Sequence, residues 1–239
     1  MIFIIFFYVI IFLVITVKLI GIVGRAYYNK DNQSIIQTHD AVRKAIVDND
    51  DCVCITLLPT ENINYLDVVS GKDIVNKEKI DYVLDKCDGF IVPGGTYFYH
   101  FDEYVIDYAI RNDKPLLCIC LGFQALCSMF AKDRTKFDMT IEDSTNSHKG
   151  EPDKYFHDVV VSNKLKDIFG TDRLMVNSVH HDLVKFEMNE LVINAKCGDV
   201  IEGVEYPNKK FIIGVQWHPE YLMDDNSKKL LNEFIKNTK

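Results

Sequence analysis

Short runs of uninterrupted apolar residues punctuate this chain, and they limit what it can fold into more than any other feature. They occupy residues 18–23, 52–58, 89–92 and 115–119. A strand with one wet face alternates apolar and polar side chains; these runs do not, so both faces must be covered, as in a parallel sheet between two layers of helix. Segments of helical spacing separate them. Residues 35–48 carry Ile35, Ile36, Val42, Ala45 and Ile46, residues 80–84 carry one stripe, and 101–111 and 121–130 read as further helices. A polar loop through Ser34 and a loop or weak turn over 61–73 fill the gaps. The regular alternation predicts an α/β domain with a mostly parallel sheet.

The texture changes after about residue 133. A polar stretch, 133–155, leads into shorter segments at 157–161, 173–177, 183–186, 191–195, 200–205 and 211–216, many of them separated by turn residues. These suggest antiparallel or mixed additions at the sheet edge. Residues 162–169 read as a short helix capped by Ser162, and the last helix starts near Ser227 with Leu230, Leu231, Phe234 and Ile235 inward. No repeat or linker divides residues 18–239, and 239 residues at 48% hydrophobic content suffice for one core.

Residues 1–17 contain no charge and little but Ile, Phe, Val, Leu and Tyr. The run is near the lower limit for a spanning helix, and it lacks the basic start and small-residue cleavage site of a secretory signal. Two readings stand: an N-terminal anchor that associates a cytoplasmic domain with a membrane, or a mis-set translation start with Val17 at the initiator position and the first strand at Lys18. The formal net charge of -8 and the absence of a basic cluster argue against nucleic acid as a partner. Seven cysteines, an odd number lying mostly in apolar runs, point to free thiols in a reducing cytoplasm. Their spacing does not suit a metal.

Two stretches carry chemistry. Lys114-Pro-Leu-Leu-Cys-Ile-Cys-Leu-Gly-Phe-Gln124 reads as a buried strand turning sharply into a helix, with Cys120 at the elbow and Gly122 keeping it tight. A helix N-terminus offers free N–H groups and a positive dipole end, which favour a thiolate and steady nearby negative charge. Cys118, two residues earlier, should point to the same face but deeper, as packing. The second stretch, Phe211-Ile-Ile-Gly-Val-Gln-Trp-His-Pro-Glu220, ends another strand on His218 and Glu220, a base and a carboxylate to orient it. Pro93-Gly94-Gly95 ends a neighbouring strand, so the N–H groups near Gly95 and Leu121 can form an oxyanion hole, worth about 3–4 kcal/mol per donor.

Cys-Ile-Cys-Leu-Gly together with Gln-Trp-His-Pro-Glu resembles the class I glutamine amidotransferase superfamily, and Pro93-Gly94-Gly95 sits where that family keeps its oxyanion strand. Val176-Asn-Ser-Val-His-His181, Val200-Ile-Glu-Gly-Val-Glu205 and Gly214-Val-Gln-Trp-His-Pro-Glu220 resemble its gamma-glutamyl hydrolase branch, peptidase C26, which includes the hydrolase of gamma-glutamyl-gamma-aminobutyrate. The resemblance covers residues 18–238. It implies a flavodoxin-like three-layer sandwich with a mostly parallel central sheet and antiparallel additions. It also implies Cys120 as nucleophile, His218 as base, Glu220 as third member, and substrate contacts from Gln124, Asn177, Ser178, His180 and His181. The chain departs from the family pattern at Cys118 (usually Gly), Leu121 (usually Arg), Thr96 (often Asp) and Asp182 (often Gln), departures that bear on specificity for the amine and leave the triad intact.

The implied reaction is hydrolysis of a small gamma-glutamyl amide through a gamma-glutamyl thioester, with no metal or organic cofactor. Two alternatives stay open: a glutaminase subunit that delivers ammonia to a separate synthase partner, and an inactive binding protein on the same fold. A homodimer is compatible with any of them.

Overall fold

The apolar runs form the centre of one sheet. In chain order the first half reads β1 (Lys18–Val23), β2 (Arg25–Tyr28), β3 (Ser34–Gln37), α1 (Asp40–Val47), β4 (Cys52–Leu57), α2 (Lys77–Leu84), β5 (Gly89–Val92), α3 (His100–Arg111), β6 (Leu116–Ile119) and α4 (Leu121–Met129). The second half reads β7 (Thr140–Ile141), β8 (Phe156–Val161), α5 (Asn163–Phe169), β9 (Arg173–Asn177), β10 (Asp182–Leu183), β11 (Val192–Cys197), β12 (Val200–Glu205), β13 (Ile212–Val215), α6 (Pro219–Leu222) and α7 (Asp225–Asn237). This computed structural model describes residues 17–49, 51–60, 76–96, 100–133, 140–141, 156–180 and 182–238.

Nine strands make the main sheet, in the order β4-β1-β5-β6-β13-β12-β11-β8-β9. The first five run parallel, and each of the next four is antiparallel to its predecessor. The parallel order is the flavodoxin-like one, with β1 inside the sheet and the later strands added on both sides of it. β5, β6 and β13 are buried along their whole length, as continuous hydrophobicity requires. One face packs against α1, α5 and α7 through Val42, Ile46, Leu165, Phe169, Leu230 and Phe234. The other packs against α2, α3 and α4 through Ile80, Leu84, Phe101, Ile106, Phe123 and Leu126. The result is the three-layer α/β sandwich that the sequence predicts.

Four details differ from the sequence reading. Ile35 and Ile36 belong to β3, not to a helix from 35 to 48; β2 and β3 pair as an antiparallel hairpin outside the main sheet, where a loop was expected. The Asn29 side chain folds its tip by accepting from the N–H groups of Asp31 (3.0 Å) and Gln33 (2.9 Å), and Asn32 takes a positive φ of 58°. Ser162 precedes α5 but makes no side-chain capping bond, whereas Asp224 caps α7 by accepting from the Ser227 N–H at 2.7 Å. The segment at 183–186 shrinks to the two-residue β10, paired with β7. Cys118 packs with Leu116 on the α3–α4 side, while Leu117, Ile119 and Cys120 belong to the opposite core. Alternation ends with β6 at Ile119, so Cys118 and Cys120 do not share a face.

The apolar segment 1–17, apart from Val17, lies outside the described part, as do the expectations for 61–73 and nearly all of 133–155. Among the described residues no helix is long and apolar enough to cross a membrane. All seven cysteines are free thiols.

Candidate active site

β5, β6 and β13 are adjacent and parallel, with Val92 level with Cys118 and Ile119 level with Val215. Their carboxyl ends therefore open on one edge, where ligands gather in open α/β sheets. Gly94 and Gly95 follow β5, Cys120 follows β6, and His218 follows β13. Residues far apart in the chain meet here because the strands that carry them are neighbours.

Cys120 stands at φ 51°, ψ -106°, between β6 and α4. A side chain in that region costs about 1–3 kcal/mol, a strain that surrounding structure must hold. The Cys120 N–H donates to the Val215 carbonyl at 2.9 Å, and its own carbonyl accepts from the Gln124 N–H at 3.0 Å. Gly122 makes the turn possible: a Cβ there would lie 2.0 Å from the Val92 carbonyl oxygen, so the first turn of α4 rests directly on the backbone of β5. The neighbouring thiols are of another kind. Burial pushes Cys118 and Cys127 well above the ordinary thiol range, and nearby Asp102 raises Cys118 further.

His218 is held from three directions. Its ring Nδ1 lies 2.7 Å from Glu220 Oε1, and both side chains are buried. Its backbone N–H donates to Asn177 Oδ1 at 2.9 Å, and its carbonyl accepts from Asn177 Nδ2 at 3.0 Å. Pro219 opens α6 at a position where no backbone N–H is needed, and the Tyr221 N–H returns to the His218 carbonyl at 3.2 Å. With Nδ1 engaged by the carboxylate, Nε2 is the nitrogen left for Cys120. Burial alone would lower the His218 pKa, but charge on Cys120 and Glu220, reinforced by a hydrogen bond to each, raises it well above 6.5.

These groups border a cavity of about 550 Å³ that includes Gly95, Thr96, Cys120 and His218 in its lining. Leu121 begins α4 beside Cys120, so its N–H belongs to the helix terminus at the elbow. The opposite wall comes from the unforeseen hairpin. Arg25, Tyr27 and Gln37 line the cavity with His39, which precedes α1. Burial lowers the His39 pKa; Glu220 opposes that shift, and the positive Arg25 and His218 add to it. Tyr221 closes a third side, its ring 5.3 Å from that of His218. Burial raises its pKa, and the negative Glu220 and Cys120 raise it further.

The expected substrate contacts lie elsewhere. Gln124 is buried, donating from Nε2 to Gln216 Oε1 at 3.0 Å and to the Asp182 carbonyl at 3.2 Å. Asn177 and Ser178 are buried as well, and His180 turns inward, with Nδ1 3.1 Å from the Asp182 carbonyl and Nε2 3.8 Å from Glu202. None of the four lines the cavity; from their loop, Val179 does. His181 lies outside the described residues. The signals missed were positional. Arg25 lies two residues past the end of the first strand of a parallel sheet, and Asp102 sits on the apolar face of α3, where a buried carboxylate asks for a cation.

Comparison with known proteins gives a consistent result. The family model for glutamine amidotransferase class-I matches residues 61–238. A glutamine amidotransferase-like protein of Rickettsia prowazekii is 28% identical, covering 62% of this chain and 75% of its own. The CTP synthase of Thermotoga maritima is 29% identical over 62% of this chain and 34% of its own, so the chain spans about a third of that relative's length. Among solved structures, the glutaminase domain of Trypanosoma brucei CTPS with bound acivicin superposes with a TM-score of 0.61 at 18% identity, covering 92% of this chain and 93% of that one. At that identity the likeness speaks for the fold.

Proposed function

This chain belongs to the class I glutamine amidotransferases, and from that premise we propose that it hydrolyses a gamma-glutamyl amide through a thioester on Cys120. One observation carries the reading: a strained, cavity-lining cysteine faces a histidine whose far nitrogen is fixed by a buried carboxylate at 2.7 Å. In that arrangement His218 Nε2 takes the Cys120 proton, and the sulfur attacks the delta carbonyl. The carbonyl electrons move onto oxygen, which the N–H groups of Gly95 and Leu121 stabilise. Collapse breaks the C–N bond, and His218 returns the proton to the departing amine. Water, deprotonated by the same imidazole, then cleaves the thioester to release glutamate and the thiol. Glu220 holds the ring in the useful tautomer and moves no proton.

The identity of the amine separates two readings. The peptidase C26 type, with a substituted amine as leaving group, is supported by the Val176–His181 motif and by a cavity roomier than glutamine alone requires. Delivery of ammonia from glutamine to a synthase partner is supported by the likeness to CTP synthase and to a CTPS glutaminase domain. Steady-state assays with glutamine and with a panel of gamma-glutamyl amides decide between them. A kcat/KM for substituted amides well above that for glutamine favours the hydrolase. Glutamine as the better substrate favours ammonia delivery. No acyl adduct on Cys120 with any of them would sink both.

A further inference from the structure

Arg25 stands on a hairpin outside the main sheet, yet it is only 4% exposed. Its Nε–H donates to the Gly94 carbonyl at 3.0 Å, and its terminal NH2 group donates to the Pro93 carbonyl. The other terminal nitrogen reaches both oxygens of Asp102 at 2.7 Å, and Asp102 is fully buried on α3. The guanidinium thus makes four hydrogen-bond contacts within the protein through all three of its nitrogens, which makes Arg25 a poor receptor for an incoming anion despite its place in the cavity lining. What it grips is the turn after β5.

We infer that Arg25 is a positioning residue, clamping Pro93-Gly94-Gly95 so that the Gly95 N–H is aimed at the carbonyl oxygen of a gamma-glutamyl group on Cys120. The direction follows from peptide geometry. In a trans peptide the C=O and the following N–H point opposite ways, and the chain contains no cis bond among the described residues. With the Gly94 carbonyl turned toward Arg25, the Gly95 N–H is turned away from it. The turn has no slack on either side. A Cβ on Gly95 would lie 3.0 Å from Arg25 Cδ and Nε and 3.1 Å from Leu121 Cδ2, and one on Gly94 would lie 2.8 Å from His218 Cε1. Asp102 anchors the guanidinium to α3, so the clamp joins the hairpin, the oxyanion turn and a core helix. A preorganised donor stabilises the transition state because it needs no reorientation when charge develops.

The inference rests on the acyl-transfer reading, and its test separates the two. Arg25→Met alone would strand a buried carboxylate, so it is combined with Asp102→Leu, which removes both charges at similar volume and is compatible with folding. Arg25→Lys keeps the charge but cannot bridge two carbonyls and a carboxylate together. For wild type and both variants, three quantities are measured: kcat and KM for the best gamma-glutamyl amide, alkylation of Cys120 by iodoacetamide, which needs no oxyanion hole, and the NMR line widths of the Gly94 and Gly95 amides. Loss of one oxyanion donor lowers kcat by about 100-fold or more. A drop of that size is expected in both variants, with KM and alkylation within about threefold of wild type and the two glycine amides broadened by exchange. Hydrolysis and alkylation falling together would show a merely structural role and overturn the inference, as would an unchanged kcat. If the wild-type protein hydrolyses no gamma-glutamyl amide, the reading of function fails, and the amide spectra still decide the clamp: unmoved Gly94 and Gly95 signals in the double variant overturn it.

Discussion

The two halves of the main sheet divide the labour of the site. In the parallel half, β5, β6 and β13 each carry one participant in the proposed chemistry at a carboxyl end: the glycine turn, the strained cysteine and the histidine. The antiparallel half of β12, β11, β8 and β9 contributes mainly support. Asn177, at the end of β9, holds the His218 backbone by its N–H and its carbonyl, and in the loop beyond it His180 turns toward Glu202. Parallel strands bring their carboxyl ends to one edge whatever their separation in the chain, so reactive groups collect there. The antiparallel extension widens the platform and braces one of those groups from behind.

The largest test of this division is in the parallel half alone. Cys120→Ala is expected to remove hydrolysis by about 10⁴-fold or more, while Cys118→Ala keeps most of the activity and lowers stability by about 1 kcal/mol, since it trims a buried side chain on the other face. Intact-mass analysis after substrate trapping should find the acyl group on Cys120; an adduct on Cys118 would reverse the assignment. Next in size, His218→Ala should approach the Cys120→Ala loss, and Glu220→Gln should fall about two orders short of it, because orienting a base matters less than being one. Equal losses in kcat for the two variants would mean that Glu220 does more than orient.

Asn177→Ala carries the comparison into the antiparallel half. It removes both bonds to the His218 backbone without touching the cavity lining, so a loss of about 10-fold in kcat and about 2 kcal/mol in stability is expected from kinetics and thermal melts. A loss as deep as that of His218→Ala would dissolve the distinction between working and bracing halves. The smallest effect is electrostatic. The His218 pKa is raised above its unfolded value, so its contribution to stability is complete below about 6.5 and fades as pH rises through the folded value. NMR titration of the imidazole should show that pKa falling in Cys120→Ala, because charge on Cys120 is the leading cause of the rise. An unchanged titration would detach the histidine from the thiol.

Much of the parallel half was legible in the sequence, because continuous apolar runs define strands covered on both faces, and the residues just past their ends define the edge where chemistry gathers. Cys120, His218 and Glu220 could be paired on those grounds before any geometry was known. The hairpin was not legible. Ile35 and Ile36 fall in helical step with Val42, Ala45 and Ile46, and nothing in that spacing reveals that the ribbon breaks at residue 38. The orientation of Cys118 was misread because the alternation rule was carried through Cys120, whose left-handed backbone ends the strand. The segment from Asn177 to His180 was recognisable as a motif, but motif spacing does not say which way a loop's side chains turn. Here Val179 faces the cavity while the polar side chains are buried, Asn177 bonded to the His218 backbone and His180 set beside the Asp182 carbonyl and Glu202.

The β2–β3 ribbon has a consequence for how specificity could be altered. One of its residues is bound into the machinery: Arg25 is tied to Asp102 and to the glycine turn. Tyr27 and Gln37 line the cavity, and the five-residue tip from Asn29 to Gln33 lies outside the main sheet. Such a ribbon works as an interchangeable jaw on a fixed hinge. Under the proposed function, grafting different lengths or side chains beyond Arg25 offers a route to new leaving groups while the proposed nucleophile, base and oxyanion turn stay untouched.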